Sequence, residues 1–206
     1  MKTKERALVV ARRLLNTQGV KTITLRHIAQ EMGISHGNLG YHFPTLSDII
    51  FALYRQLVGE LNAVIGSLRG DDLAAVHAGS WRTFELLYAY RFLLLDFVEI
   101  CRSVPGLRDH YRLLQQRRQE ELSGVIGRLV EAGILRTDIG EEQYRKLIHA
   151  MTILGDFWLS SGEMLYQGQE EDKVAWYFDL FFSQIVPYLT PIGRAAYASL
   201  PDVRTL

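Results

Sequence analysis

Apolar residues recur along most of this chain at three- and four-residue spacing, the repeat that gathers them on one face of an α-helix. Ala7, Leu8, Ala11, Leu14 and Leu15 form the first stripe, and Gly19 follows where a helix C-terminus is commonly closed. Ile28, Ala29 and Met32 mark a second helix, opened by Thr24 as N-cap and stopped by Gly33. A third, short helix is predicted from its N-cap Ser35 to His42. Pro44-Thr45 breaks the chain ahead of a long helix over about 47–68, carried by Ile49, Ile50, Leu53, Leu57, Leu61 and Val64. Gly70 and Asp71 restart the chain, and further helices are expected over about 71–90, 92–102, 105–132, 141–161 and 171–189. Thr190-Pro191 can begin one more turn or two, since proline suits the first helical position. No alternating apolar-polar run competes with these helices. The predicted class is therefore all-α, with about nine helices, a three-helix module over 1–46 and a larger helical body over 47–206.

Composition changes the picture in one respect. The 206 residues are 48% hydrophobic, ample for a packed core and unlike a disordered chain. Lys+Arg and Asp+Glu are both 23, so the whole chain is neutral. The first fifty residues, however, hold Lys2, Lys4, Arg6, Arg12, Arg13, Lys21 and Arg26 against only Glu5, Glu31 and Asp48. Seven against three leaves +4 there and −4 on the remainder, a small basic module attached to an acidic body. Cys101 is the single cysteine, so no intrachain disulfide can form, and its apolar run Phe97-Val98-Glu99-Ile100-Cys101 reads as packed core. The apolar stretch from Ala7 is cut by Arg12 and Arg13, too short for a secretory signal. No apolar run approaches the roughly 18 residues of a membrane span. A cytoplasmic protein with no membrane partner is expected.

The basic module contains the most informative segment, Thr24 to Phe43, TLRHIAQEMGISHGNLGYHF. Two short helices separated by Gly33-Ile34-Ser35 have the layout of a helix-turn-helix. In the second helix Ile34, Leu39 and Phe43 can pin one side to its neighbours, leaving His36, Asn38, Tyr41 and His42 outward. Asparagine can make a bidentate contact to adenine in the major groove. Tyrosine and histidine can hydrogen-bond phosphates, and such contacts set register. Arg26, at the start of the preceding helix, is placed for phosphate or guanine. Gly37 and Gly40 cost about 1 kcal/mol each relative to alanine, with little reason for that cost in a purely structural helix. The same residues let the backbone approach an outside partner closely.

These residues carry a resemblance. GISHGNLGYHFPTLSDII, with IAQEMG before it, resembles the DNA-binding signature of the TetR family of bacterial regulators, strongly over about 1–55 and in architecture alone beyond. Tyr90-Arg91-Phe92, Pro105 and Tyr111 are similar to one branch of that family. The resemblance implies an all-helical homodimer that represses transcription from a palindromic operator in double-stranded DNA and is released by a small-molecule effector. By position it carries DNA contact to Arg26, His36, Gly37, Asn38, Tyr41 and His42, and Ser35, the N-cap of the reading helix, is taken with them as a DNA-binding residue. Two positions depart from the pattern: Gly40 stands where an aromatic is usual, and Leu46 where a phosphate-gripping lysine is usual. Backbone grip is then expected to lean on Lys2, Lys4, Arg6 and Lys21.

In the body, Trp81, Phe84, Tyr88, Phe97, Tyr111, Met151, Phe157 and Trp158 are large side chains at helical spacing. On spacing alone they read as core. The resemblance implies a ligand cavity among them, mainly apolar with a few polar anchors. Asp96, Glu99 and Asp156 fall inside apolar stretches, with His77, Arg82, Glu85 and His149 nearby, and are candidates either for anchors or for solvent-facing pairs. The ninth predicted helix carries two adjoining stripes, Val174-Phe178-Phe182-Ile185-Leu189 and Tyr177-Phe181-Tyr188, wider than the roughly 100° a surface helix buries. The eighth has a similar surplus. The resemblance implies that these two helices pair two subunits, the alternative being a central helix within one chain. No metal-ligand cluster, phosphate-cradling loop or nucleophile–base motif is present, so no enzyme, cofactor or metal site is expected. A helical partner-binding protein without DNA binding is the remaining alternative, and it leaves the basic module and the costly glycines unexplained.

Overall fold

The computed structural model describes residues 2–68 and 72–205. It is all-helical among the described residues, with eleven α-helices and no strand. In chain order they are α1 (Thr3–Gln18), α2 (Leu25–Glu31), α3 (His36–His42), α4 (Leu46–Ser67), α5 (Leu73–Ala89), α6 (Arg91–Leu95), α7 (Phe97–Ser103), α8 (Leu107–Glu131), α9 (Glu141–Leu165), α10 (Lys173–Phe182) and α11 (Pro191–Ala198). The expected start of the fifth helix at Asp71 lies outside the described residues.

The chain forms two compact units. The first comprises Met1–Glu60 with Ala89–Arg112, the second Leu61–Tyr88 with Leu113–Leu206. In the first unit α1 packs on α2 and α6, and α2 packs on α3. Ala7, Ala11, Ile28, Leu39, Ile49 and Phe92 are sealed inside it. The Asn16 side chain clips the chain between α5 and α6 to α1: its amide donates to the Ala89 carbonyl at 2.9 Å and its oxygen accepts from the Phe92 N–H at 3.1 Å. In the second unit Phe84 stacks on Trp158 at 5.3 Å and meets Phe178 edge-on at 5.5 Å. His77 is buried there against Phe178 and Phe182, and burial holds its pKa below the ordinary histidine range despite the opposing charge of Asp179.

Three elements differ from the expected helices, each for a local reason. The helix expected over 92–102 is two, because Asp96 takes φ −107°, ψ 23° between α6 and α7. α9 runs on to Leu165, since nothing near residue 161 stops it and the buried Gly162 lets Lys173 and Tyr177 approach closely. The last long helix ends at Phe182, and Ser183–Tyr188 continues as a 3-10 helix containing Pro187, which has no N–H for an α-helical bond. The membrane expectation also needs correcting: α4 is long and apolar enough by length and mean hydropathy to cross a bilayer, its polar residues being scattered among the apolar ones. Its Ile49, Ile50, Leu53, Tyr54, Leu57 and Val58 are buried in the protein, as in an ordinary core helix.

α11 begins with Thr190, whose hydroxyl oxygen accepts from the Gly193 N–H at 3.0 Å. A β-carbon at Gly193 would lie 2.1 Å from the Ile134 carbonyl oxygen, so this glycine is demanded by backbone contact. Gly193→Ala is expected to destabilise the fold by about 1–3 kcal/mol, an overpacking cost read from the urea midpoint. An unchanged midpoint would show that the loop before residue 136 yields freely.

Candidate nucleic-acid interface and body cavity

Local chemistry sets the geometry of α2 and α3. Thr24 caps α2 by accepting the His27 N–H at 3.4 Å. Gly33 turns the chain at φ +67°, a left-handed conformation that side chains rarely adopt. The Ile34 N–H then closes the end of α2 on the Ala29 carbonyl at 3.0 Å. Ser35 starts α3 by accepting the Asn38 N–H at 3.2 Å. Leu39 and Phe43 are buried and hold α3 against the module. Their positions leave His36, Gly37 and Asn38 exposed, and Tyr41 is 86% exposed, an aromatic ring that folding alone gives no reason to leave in water. His42 is half-buried, its ring edge-on to Tyr41 at 5.3 Å. Arg26 is exposed on the first turn of α2. Beyond its own helix backbone and chain neighbours, no atom of the described residues comes within 4 Å of where a Gly37 β-carbon would sit, so packing among them does not require its bareness.

Four of the basic residues in the module are engaged within the unit. The Arg6 guanidinium donates to the Met32 carbonyl at 3.0 Å, tying α1 to the end of α2. Arg13 pairs with Glu31. Arg12 stacks over the Tyr90 ring at 4.7 Å and Lys4 lies 5.5 Å from the Phe43 ring. Arg26 and Lys21 are exposed on the unit's surface. Leu46, at the start of α4, is half-buried, and Gly40 has open space around it.

The second unit holds a partly open cavity of about 210 Å³. Its wall is mainly apolar, from Leu61 and Ile65 of α4 through Phe84, Leu122, Leu129 and Leu147 to Ile185. Gln115 and Arg118 of α8, Ser80 and Thr83 of α5, and Thr152 and Asp156 of α9 are its polar members. Arg118 is buried, donating to Glu121 Oε2 at 2.5 Å and to Asn62 Oδ1. The Gln115 amide donates to Asp156 Oδ2 at 3.5 Å. Among the described residues no group of three His, Cys, Asp or Glu side chains could hold a metal ion.

Residues 7–53 match the family described as bacterial regulatory proteins, tetR family, and residues 81–197 match the one described as bacterial transcriptional repressor. The chain belongs to the TetR family of bacterial regulators. Among solved structures it is similar to a TetR-family transcriptional regulator from Marinobacter aquaeolei, at 25% identity and TM-score 0.85, over 96% of this chain and 97% of that one. It also shares its fold with a transcriptional regulator from Saccharomonospora viridis in complex with choline, at 21% identity and TM-score 0.69, over 89% and 95% of the two chains. The ketosteroid transcriptional regulator KstR2 of Mycobacterium tuberculosis has the fold too, at 15% identity and TM-score 0.61, over 92% and 96%.

In this TetR-family chain the eight large residues of the body separate into groups. Phe84 and Met151 line the cavity. Trp81, Tyr88 and Trp158 sit outside its lining in the ring cluster, Trp81 against Phe178 at 5.3 Å and Tyr88 on Trp158 at 6.4 Å. Phe97 and Tyr111 pair with each other at 4.7 Å in the first unit. Phe157 is 42% exposed on α9. Of the polar candidates Asp156 alone lines the cavity: Arg82 pairs with Glu85, Glu99 and His149 are exposed, and Asp96 sits at the α6–α7 break. Gln115, Arg118 and Thr152 were not singled out from the sequence, although 115, 118, 122, 125 and 129 keep helical spacing along one face of α8.

The wide apolar face of the last long helix also resolves differently. Tyr177, Phe178, Phe182, Ile185 and Leu189 are buried within this chain. The apolar surface left over is Trp176 and Leu180 on α10, with Ile153, Phe157, Met164 and Leu165 on α9.

Proposed function

We propose that this TetR-family regulator is a homodimeric repressor that reads a palindromic operator with α3 and changes its operator affinity when a small molecule enters the cavity of the second unit. The observation that carries the DNA reading is the outward set on α3: Asn38 and Tyr41 are exposed on a helix whose opposite side is fixed by Leu39 and Phe43. In this reading Asn38 contacts a base edge, Gly37 admits close backbone approach, and His36, Tyr41, His42 and Arg26 hold phosphates. The exposed apolar residues of α9 and α10 support pairing of two copies there, as expected from the family. A protein that binds bacterial DNA works in the cytoplasm.

α4 supports the coupling of ligand to DNA. Its capping box, Thr45 with Asp48, follows α3 directly, and the same helix brings Leu61 and Ile65 to the cavity wall. A ligand that prefers one arrangement of α4 shifts the balance between DNA-competent and incompetent states by its differential affinity for them. The relatives solved with choline or named for ketosteroids differ in chemistry, so the ligand has to be argued from this chain's own lining.

Titration of the full chain on operator and scrambled duplexes over a series of salt concentrations tests the reading. Arg26→Ala is expected to weaken both duplexes alike and to flatten the salt dependence by about one unit of slope. A loss confined to the operator would make Arg26 a base reader. Absence of duplex binding by the native chain would return it to the partner-binding alternative.

A further inference from the structure

The second unit holds another cavity, partly open and about 420 Å³, within the range of roughly 300–1,000 Å³ usual for small-molecule sites. It is bounded by α5, α10, α11 and the C-terminal segment Leu200–Arg204, and Phe182 alone borders both this cavity and the one described above. Six rings wall it: His77, Tyr166, Trp176, Phe178, Phe182 and Tyr197. Phe182 stacks with Tyr197 at 6.0 Å, and Tyr166 lies 5.8 Å from Trp176. Trp176 is 52% exposed, a large ring that packing leaves uncovered. Asp172, the N-cap of α10, precedes it by four residues and Asp179 follows by three, so the indole stands between two carboxylates on one helix face.

The charges of the lining do not balance. Asp172, Asp179 and Asp202 face a single cation, Arg204. Arg204 closes on Asp202, Nε to Oδ1 and Nη2 to Oδ2, both at 2.9 Å. The Asp172 and Asp179 side chains make no hydrogen bond or ion pair among the described residues. With every lining charge counted, Arg204 included, three carboxylates against one guanidinium leave an excess of negative charge. The surrounding chain adds to it: from Glu163 to Asp179 five carboxylates stand against Lys173, whose ammonium is held by Glu163 and Glu170.

The two titratable rings leave that excess intact at neutral pH. Burial holds the His77 pKa below the ordinary histidine range against the pull of Asp179, so the imidazole is neutral. Burial and then the Asp179 charge push the Tyr197 hydroxyl up, so it stays protonated. His77 is 6% exposed, and its Nδ1 is sealed without a hydrogen-bond partner. Folding alone does not repay a buried polar group left in that state. As an uncharged ring it extends the aromatic wall and does not repel a cation.

We infer a second ligand site here, separate from the effector cavity and from DNA binding: it takes a bulky organic cation, its charge on an alkylated nitrogen over Trp176 between Asp172 and Asp179, its apolar part toward Phe178 and Phe182. Tryptophan is the best aromatic partner for a cation, and rings around an alkylated ammonium are the usual form of such recognition. An alkylated ammonium has no N–H to satisfy, which suits a wall of ring carbon. A metal ion needs several close ligands, and among the described residues no group of three His, Cys, Asp or Glu side chains could hold one.

The test is calorimetric titration of the full chain with benzyltrimethylammonium, benzyl alcohol and phenylacetate, three probes with one ring and different charges. The cation is expected to bind at least about tenfold more tightly than phenylacetate, with the alcohol between them. Trp176→Ala should weaken the cation by about three- to thirtyfold and Asp179→Asn by about two- to fivefold. Both side chains are exposed, so the helical circular dichroism should not change. Phenylacetate binding as tightly as the cation, no binding of the cation, or cation binding unaltered by both substitutions overturns the site. Trp176 also belongs to the surface proposed for pairing, so the Phe157→Glu chain is titrated beside the native one, and equal affinity is expected because one chain supplies the whole lining. Binding found only with Phe157→Glu means that pairing covers Trp176 and overturns the site in the native protein.

Discussion

Phe157→Glu is expected to turn a dimer into a monomer and to weaken binding to a palindromic duplex by about 10²–10⁴-fold. The substitution acts where α9 leaves a large ring 42% exposed, close in sequence to Ile153 and Met164, which are more exposed still. In a two-fold interface each residue meets the surface of its twin, so one substitution places two carboxylates in a desolvated apolar patch. An unpaired charge there costs far more than the ring's packing contributes. The chain itself should tolerate the change, because a residue this exposed is not part of the sealed core. Sedimentation at micromolar concentration, with the helical circular dichroism as control, reads the outcome. A dimer that survives Phe157→Glu with operator affinity intact places the interface elsewhere. The DNA loss follows from linkage: two reading helices held together bind the second half-site intramolecularly, and separated subunits lose that effective concentration.

Asn38→Ala is expected to cost about 1–3 kcal/mol on the operator and little on a scrambled duplex, so base preference relaxes at one position per half-site. The structure separates this effect from folding. The capping bond to Ser35 uses the Asn38 backbone N–H, which alanine keeps. The asparagine side chain is exposed, and alanine has the higher helix propensity. The thermal midpoint should therefore hold or rise slightly while the operator is lost. Equal losses on both duplexes would move Asn38 from base reading to backbone positioning.

The helix-turn-helix was legible because everything that makes it is local. Thr24, Gly33 and Ser35 are cap and turn residues within a few positions of the bonds they form, and Leu39 and Phe43 are one helical turn apart on the buried side. What the basic charges do was not legible. Net charge over fifty residues cannot show that Arg6 reaches the Met32 carbonyl or that Arg13 meets Glu31, contacts set by packing of α1 on α2. In the body, spacing identified helices and failed at Asp96, whose break has no glycine or proline to announce it. Pro187 was visible in the sequence and its consequence, a 3-10 stretch after Phe182, was not drawn. The cavity was harder still. Large aromatics satisfy each other first, as Tyr88 and Phe84 do on Trp158, and the space remaining is lined by the residues between the ring clusters, among them Gln115 and Thr152. Which residues border a gap depends on how four helices meet, and no single helix records that.

The central claim is that α3 lies in the major groove and that a two-fold pairing of chains fixes where its twin lands. Footprinting of the native protein on the DNA upstream of its own gene tests this most directly. The account predicts two protected half-sites of inverted sequence, their centres about 34 Å apart along the duplex or a multiple of it. Protection of one isolated half-site by a monomeric protein, or no protection at concentrations that saturate unrelated DNA, would contradict it.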